Sequence, residues 1–194
     1  MKKTSLSKQA QLNAIADELR HHSTCPLRKT ATQPVAGEGN PNAKIVFIGE
    51  APGKNEDLSG RPFIGQAGKV LDELLASVNL KRKDVFITSI EKFRPPNNRV
   101  PTPKEIMACF PYLERQIAII QPKIIVTLGR YALQRMLEWE SGEKVSPPPM
   151  ADYHGKKIPS KKGYIYLPLY HPAAALYNRK LLAVMKDDFL AVIR

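Results

Sequence analysis

Short runs of apolar residues alternate along this chain with longer segments of helical periodicity. The runs are AKIVFIG (43–49), DVFITSI (84–90), KIIVTLG (123–129) and YIYLPLYHP (164–172). A short, continuous apolar run is typical of a strand buried on both faces of a parallel sheet. We therefore predict one α/β domain spanning residues 1–194, with helices covering both faces of a parallel sheet.

The segments between these runs repeat apolar residues every three or four positions, which predicts amphipathic helices. Pro111 is expected to kink the third of them. Residues 141–163 predict a loop or a hairpin. The five predicted helices span residues 7–20, 65–79, 101–122, 130–139 and 178–194.

The net charge of the 194 residues is +12, with a pI near 9.7. This excess of Lys and Arg favours a polyanionic partner such as nucleic acid, and a merely solvated basic surface is the alternative. No apolar block follows the N-terminal lysines, and no window reaches membrane-spanning length, so we expect neither a secretion signal nor a membrane anchor. With only Cys25 and Cys109, a disulfide framework is not expected, and we predict a cytoplasmic protein.

Three notable segments lie at the carboxyl ends of predicted strands: GEAPG (49–53), SIEKFRPPNNR (89–99) and HPAAAL (171–176). In parallel sheets the carboxyl ends of the strands hold the ligand. The first segment has neither the spacing of a P-loop nor that of a dinucleotide-binding loop. Glu50 would also place negative charge where a phosphate should lie. The loop is therefore expected to present a carboxylate to a different kind of ligand.

Three side chains in or near these segments suit chemistry on a nucleobase. Phe63, between a proline and an isoleucine–glycine pair, is a platform for a planar ligand or a plug of the core. His171 is a candidate proton donor or a structural histidine. An enzyme that removes a base must extrude it and stabilise a sugar cation and a base anion, which are tasks for Glu50 and His171.

Beyond these features, four long segments in the same order resemble the family-four uracil-DNA glycosylases, the iron–sulfur branch of the uracil-DNA glycosylase superfamily. The resemblance implies a three-layer α/β/α sandwich around a central four-stranded parallel sheet. It also implies a monofunctional enzyme that hydrolyses uracil, or another deaminated base, from DNA in base excision repair. The segments are VAGEGNPNAKIVFIGEAPG, EDLSGRPFIGQAG, KFRPPNNRVPTPKEIMACFPYLERQIAIIQPKIIVTLG and HPAAAL.

The resemblance implies roles for individual residues. Glu50 and His171 match the catalytic residues, and Phe63 matches the ring that stacks on uracil. Base binding is implied for Gly49, Ala51, Gly53, Phe63 and Ser89. The apolar tip at Leu176 either enters the duplex beside basic residues or simply begins a helix. DNA contacts are assigned to Arg94, Arg99, Ala174, Leu176, Tyr177 and Arg179.

Two departures from the family pattern change what is expected. His22 and Phe93 stand where the family has two of its four cluster cysteines, and only Cys25 and Cys109 match. Two thiolates cannot supply four-cysteine ligation, so we predict that the iron–sulfur cluster is lost and that no metal or other cofactor is present. A different metal held by Cys25, Cys109, His22 and a further ligand is the alternative.

The second departure is Ser89, which stands where the family has an asparagine that contacts the uracil edge. A serine hydroxyl is shorter than an amide, so the pocket is expected to accept uracil through water or to accept another deaminated base. Glu91 adds a carboxylate of unknown orientation. The alternatives to a monomeric DNA glycosylase are a non-catalytic module that binds damaged or single-stranded DNA and an enzyme acting on nucleosides or RNA.

Overall fold

A computed structural model describes residues 6–193 of the chain. The predicted domain begins at Met1, and the predicted last helix ends at Arg194. Residues 1–5 and Arg194 lie outside the described residues. The helices are α1 (Lys8–His22), α2 (Lys54–Ser59), α3 (Gln66–Ser77), α4 (Pro103–Ile120), α5 (Arg130–Ser141), α6 (Met150–Tyr153), α7 (Ala174–Tyr177) and α8 (Leu181–Ile193). The strands are β1 (Glu38–Gly39), β2 (Ile45–Gly49), β3 (Phe86–Ser89), β4 (Ile124–Leu128), β5 (Ile158–Pro159) and β6 (Ile165–Leu169).

All six strands form one sheet in the order β1-β3-β2-β4-β6-β5. The four central strands are parallel, which confirms the predicted four-stranded core of the sheet. The two edge strands pair antiparallel, with Glu38 opposite Ile87 and Ile158 opposite Tyr166. These two-residue strands were not predicted, because two residues show no periodicity and their pairing is set by the neighbouring strand.

Alternate residues of the strands pack against different helical layers. Phe47 faces α3 and α8, and its ring stacks on that of Phe189 at 5.8 Å between centroids. Val46 and Ile48 belong to the opposite cluster, together with Leu113 of α4 and residues of α1 and α5. Each such side chain contributes about 1.5–3 kcal/mol when fully buried. The predicted three-layer α/β/α sandwich is therefore confirmed.

The α4 helix begins at a capping box, in which the Thr102 hydroxyl accepts a hydrogen bond from the Glu105 N–H and the Glu105 carboxylate accepts one from the Thr102 N–H. The helix continues through Pro111 as one element. Within residues 6–193, every helix is too short or too polar to cross a lipid bilayer.

The strand order determines where a ligand pocket can form. From β2 the chain passes through α2 and α3 to β3 on one side, and then through α4 to β4 on the other side of β2. The chain therefore reverses its direction across the sheet at β2, and a crevice is expected at the carboxyl ends of β2 and β4. Glu50 directly follows β2, and Gly129 directly follows β4.

Candidate active site

A cavity of about 350 Å³ lies at the carboxyl edge of the sheet. It draws residues from the segments after β2, β3 and β6 and from the two loops that cover them. Its lining consists of Val35, Glu50, Ala51, Pro52, Gly53, Glu56, Pro62, Phe63, Ala67, Ser89, Pro95, Asn98, Arg99, His171 and Ala173.

This cavity brings together most of the residues predicted to bind the base. Gly49 lies behind its wall against the ring of Phe63. The remaining predicted DNA-contacting residues are outside the lining, and Leu176 and Tyr177 of α7 are 43% and 92% exposed. The predicted residues in the lining are Glu50, Ala51, Gly53, Phe63, Ser89, Arg99 and His171.

The three carboxylates near the first loop have separate tasks. Glu56 Oε1 accepts hydrogen bonds from the backbone N–H groups of Ile64 and Gly65, at 2.9 and 2.8 Å. Asp57 accepts hydrogen bonds from the backbone N–H and the hydroxyl of Thr32. The backbone carbonyl of Glu50 accepts a hydrogen bond from the Glu91 N–H at 2.9 Å, but its side-chain carboxylate accepts none from residues 6–193. Glu50 is therefore the carboxylate of this loop that is available to a ligand.

The electrostatic surroundings of Glu50 raise its pKa above the ordinary value for a carboxyl group. Burial in the cavity wall is the largest cause, because it disfavours the charged form. The positive charges of Arg130 and Arg135 act in the opposite direction. The site therefore holds a partly desolvated carboxylate with two arginines nearby.

Phe63 is held in an unusual backbone conformation. Its φ is +52°, in the left-handed region that residues other than glycine rarely adopt. Arg82 donates hydrogen bonds to the carbonyl oxygens of Pro62, at 2.9 Å, and of Phe63. Arg82 also pairs with Asp72 and Glu38, at 2.6 and 3.1 Å. These contacts hold the Phe63 loop from behind.

Two glycines leave room for this loop. A Cβ at Gly49 would lie 2.6 Å from Cζ of the Phe63 ring. A Cβ at Gly68 would lie 1.7 Å from the Phe63 carbonyl oxygen. Side chains at these two positions would therefore displace Phe63, so both glycines are needed for the position of the ring in the cavity.

His171 is held as a neutral imidazole. Its Nδ1 lies 3.1 Å from the backbone nitrogen of Ala173, and a backbone N–H can only donate. Nδ1 is therefore the acceptor, and the ring proton is on Nε2. Burial lowers the pKa of His171 to about 4, and the Glu56 carboxylate opposes that shift. The Phe63 and His171 ring centroids are 5.7 Å apart.

Ser89 ends β3 beside Gly49, and a fully buried lysine supports it. Lys92 Nζ donates hydrogen bonds to the Ser89 carbonyl oxygen at 2.8 Å, to the Thr88 hydroxyl at 2.7 Å and to Gln116 Oε1 at 2.8 Å. Its three donors are thus satisfied. This network positions the backbone at the end of β3, which carries the Ser89 hydroxyl in the cavity wall.

The segment that follows Phe93 forms a basic rim. Arg94 Nε donates a hydrogen bond to Asn98 Oδ1 at 2.8 Å. Arg99 forms a two-pronged ion pair with Glu105, at 2.8 and 2.6 Å, and this guanidinium lowers the pKa of Glu105 to about 2. The charge of Arg99 is therefore partly engaged within the protein.

The four residues at the positions of the family's cysteine ligands do not fit a four-iron iron–sulfur cluster. Phe93 is buried and packs with Cys25 and Cys109 in a separate apolar cluster, while His22 is exposed. The two Sγ atoms lie 3.3 Å apart. An iron–sulfur cubane holds each cysteine sulfur on a separate iron, so its sulfurs stand farther apart than two thiols in contact.

Several lining residues were missed by sequence reasoning. Glu56 is one of them, because no motif indicates its hydrogen bonds to the Phe63 loop. Val35, Pro95 and Asn98 come from loops that show no periodicity. Asn98 lies in the segment SIEKFRPPNNR, and its φ of +55° is a conformation in which asparagine is favoured.

The fold and the site define a class of protein: an α/β/α sandwich with a pocket at the carboxyl edge of a parallel sheet, where a carboxylate, an aromatic ring and a neutral histidine meet. A family model for the uracil DNA glycosylase superfamily matches residues 36–194. The chain belongs to the uracil-DNA glycosylase superfamily.

Individual relatives agree with this assignment. The chain is 48% identical over 182 residues to the type-4 uracil-DNA glycosylase of Sulfurisphaera tokodaii, and the match covers 92% of this chain and 81% of that protein. It is 45% identical over 189 residues to the type-4 uracil-DNA glycosylase of Archaeoglobus fulgidus, with 92% and 89% covered. The type-5 uracil-DNA glycosylase of Thermus thermophilus is 32% identical over 176 residues, with 83% and 78% covered. The resemblance found in the motifs is therefore confirmed.

Proposed function

We propose that this chain is a monofunctional DNA glycosylase that hydrolyses the N-glycosidic bond of uracil, or of another deaminated base, and leaves an abasic site. The observation that carries the proposal is that Glu50, Phe63 and His171 line one cavity. Membership of the superfamily and the type-4 relatives support uracil as the base. The net charge of +12 favours DNA over a free nucleoside.

In this mechanism the extruded base stacks on the ring of Phe63, whose position is set by Gly49 and Arg82. The bond between C1′ and the base nitrogen breaks, and its electron pair leaves with the base. Positive charge then develops on the sugar, where the Glu50 carboxylate stabilises it or positions the attacking water. Water adds to C1′ and releases one proton to solvent, which leaves a hydroxyl group on the sugar, and the released base anion takes up one proton from solvent.

His171 stabilises the departing base. Its Nε2–H is the remaining donor of the ring, because Nδ1 accepts a hydrogen bond from Ala173. With a pKa of about 4, the imidazole is neutral at physiological pH and donates a hydrogen bond to the anionic base without a full proton transfer. The Ser89 hydroxyl contacts the base edge in place of an amide, which broadens the range of accepted bases.

DNA contacts are proposed for the basic rim and for the exposed α7 tip. Arg99 lines the cavity, Arg94 precedes the lining residue Pro95, and Leu176, Tyr177 and Arg179 are exposed on the segment that follows His171. An apolar tip flanked by basic residues suits insertion into a base stack and contact with phosphates. We also propose that the protein acts as a monomer in the cytoplasm.

A base-release assay tests this function. Labelled oligonucleotides that contain uracil, hypoxanthine or xanthine, as single strands and in mismatched duplexes, are incubated with the protein, and abasic sites are then cleaved with alkali. We expect release of uracil by the wild type and a loss of about 100-fold or more in Glu50→Gln and in His171→Asn.

Matched controls separate the site from the rest of the protein. Glu73→Gln changes a carboxylate that pairs with Lys186 outside the cavity, and His154→Asn changes a histidine that pairs with Asp188. Both variants should release uracil at nearly the wild-type rate. Tight binding of these oligonucleotides by the wild type without release of any base would instead support a non-catalytic binding module.

A further inference from the structure

A second cluster of reactive side chains lies outside the proposed active site. Cys25 follows α1, Cys109 lies within α4, and Glu91 lies two residues beyond β3. The candidate ligand atoms of these three residues all lie within 4.8 Å of one another, and all three residues are buried. His22, the sequence-predicted alternative ligand, is exposed and does not belong to the group.

The carboxylate of Glu91 has no evident role in the protein alone. Glu91 is 0% exposed, and neither of its oxygens accepts a hydrogen bond from an N–H or O–H group of residues 6–193; the only donor that acts on it is the weak one of the Cys109 thiol. The neighbouring Lys92 does not satisfy it, because the ammonium group donates to Thr88, Ser89 and Gln116 instead. A buried carboxylate with only a weak hydrogen bond is strongly disfavoured unless a cation or a proton compensates it.

We propose that Cys25, Cys109 and Glu91 bind one zinc ion, with water as the fourth ligand. Zinc takes cysteine sulfur and carboxylate oxygen in tetrahedral sites, and a mixed sulfur–oxygen set suits this borderline-soft ion. Zinc–sulfur bonds of about 2.3 Å place two sulfurs roughly 3.8 Å apart at the tetrahedral angle. The two sulfurs lie 3.3 Å apart, so they would move apart by about half an ångström when the ion binds.

The surroundings of the cluster support a bound ion. The backbone N–H of Lys92 donates to Cys109 Sγ at 3.5 Å, a contact that stabilises a metal-bound thiolate. A surface groove of about 460 Å³ has Cys25 in its lining, and the ion would enter from this side. Its lining is Ser23, Thr24, Cys25, Pro26, Arg28 and Lys29. Both thiols release their protons to solvent when the ion binds.

The zinc ion would connect three parts of the chain: the segment after α1, the helix α4, and the segment after β3. That last segment leads directly to Pro95, Asn98 and Arg99 in the wall of the active-site cavity. The ion would therefore hold a loop of the active site from a buried position, without contact with the substrate.

Metal binding to the full chain tests the proposal without DNA, so the result does not depend on the glycosylase activity. The protein is purified in reductant, stripped with a chelator, and titrated with Zn²⁺ or with Co²⁺ as a spectroscopic probe. We expect one ion per chain after gel filtration and, with cobalt, the thiolate charge-transfer and ligand-field bands of a tetrahedral site. The thermal midpoint should rise by about 5–10 °C at a zinc concentration 100 times Kd.

Variants identify the ligands. Glu91→Gln keeps the shape of the side chain, and Cys109→Ser keeps most of its volume; each should weaken zinc binding at least tenfold while circular dichroism confirms folding. His22→Ala is the control and should bind zinc like the wild type. The proposal is wrong if the stripped, folded wild type binds no zinc. It is also wrong if the purified protein contains iron with inorganic sulfide.

Discussion

At the scale of single residues, the glycine at position 49 determines where the aromatic ring of the cavity lies. In Gly49→Ala the new Cβ would lie 2.6 and 2.8 Å from two atoms of the Phe63 ring. Overpacking of this kind costs about 1–3 kcal/mol and moves the ring. We expect kcat/KM for uracil release to fall by about tenfold or more, measured with a single-stranded uracil oligonucleotide.

Gly142→Ala is the matched control for that substitution. Gly142 has a φ of +74° after α5, and a Cβ at this position would have no neighbouring atom of residues 6–193 within 4 Å. The variant should lose about 1 kcal/mol of stability through backbone strain and keep its activity. If Gly49→Ala keeps wild-type kcat/KM, the ring does not need its observed position.

The neutral state of His171 predicts how stability depends on pH. Its pKa is lowered from 6.5 to about 4, so between these values the unfolded chain binds more protons than the folded chain. The stabilisation is therefore complete above pH 6.5 and is lost as the pH falls toward 4. The wild type should lose about 2–3 kcal/mol more than His171→Gln between pH 7.5 and pH 4.5.

Urea unfolding of both proteins at the two pH values measures this difference. Glu50, Glu56 and the other carboxylates are present in both proteins, so their contributions largely cancel. Equal pH slopes for the wild type and the variant would show that His171 titrates normally and is not held neutral by burial.

The sequence predicts the candidate catalytic residues better than the residues that hold them in position. Glu50 and His171 each follow an apolar run, and the carboxyl ends of parallel strands meet at one edge, so their proximity is predictable. The hydrogen bonds of Glu56 to the Phe63 loop are not, because they depend on how a short helix docks beside that loop. The orientation of Glu91 was also open, and the structure places it beside the thiols.

At the scale of secondary-structure elements, Arg82 connects the segment before β3 to the loop that carries Phe63. Arg82→Lys keeps the charge but loses the planar fork that contacts the Pro62 and Phe63 carbonyls. We expect the loop to lose its fixed conformation and KM for uracil-containing DNA to rise about tenfold. Steady-state kinetics on the single-stranded oligonucleotide measures the effect.

Arg61→Lys is the comparison for this prediction. Arg61 also pairs with Glu38, at 2.8 Å, but its side chain is 61% exposed, and its guanidinium donates to Glu38 rather than to a carbonyl of the loop. Its kinetics should stay close to those of the wild type. If the two lysine variants behave alike, the guanidinium of Arg82 does not hold the loop.

The elements themselves were predictable where burial imposes a pattern. Each parallel strand lies inside a predicted apolar run, because both of its faces are covered. The segment 141–163 was predicted as loop or hairpin, and it contains the short helix α6 and the edge strand β5. Such short elements depend on neighbours that are distant in sequence, so local periodicity cannot predict them.

At the scale of the whole molecule, the sheet and its two helical layers hold both the cavity at the carboxyl edge of the sheet and the exposed tip of α7. Among residues 6–193 the buried charged side chains are Asp57, Glu91, Lys92 and Glu105, so nearly all the basic residues described are at least partly exposed. Affinity for DNA should then depend strongly on salt, because each phosphate contact releases counterions. Which arginines take part in those contacts can be tested one at a time.

Arg179→Ala should lower the slope of log Kd against log salt by about 0.7–0.9, because one exposed cation beside the α7 tip is removed. Arg115→Ala is the control, since Arg115 pairs with Glu18 at 2.6 Å and its charge is already engaged. Fluorescence anisotropy of a labelled oligonucleotide at several salt concentrations measures both slopes. An unchanged slope in Arg179→Ala, with full affinity, would place the DNA away from α7 and remove the proposed role of this tip in entering the base stack.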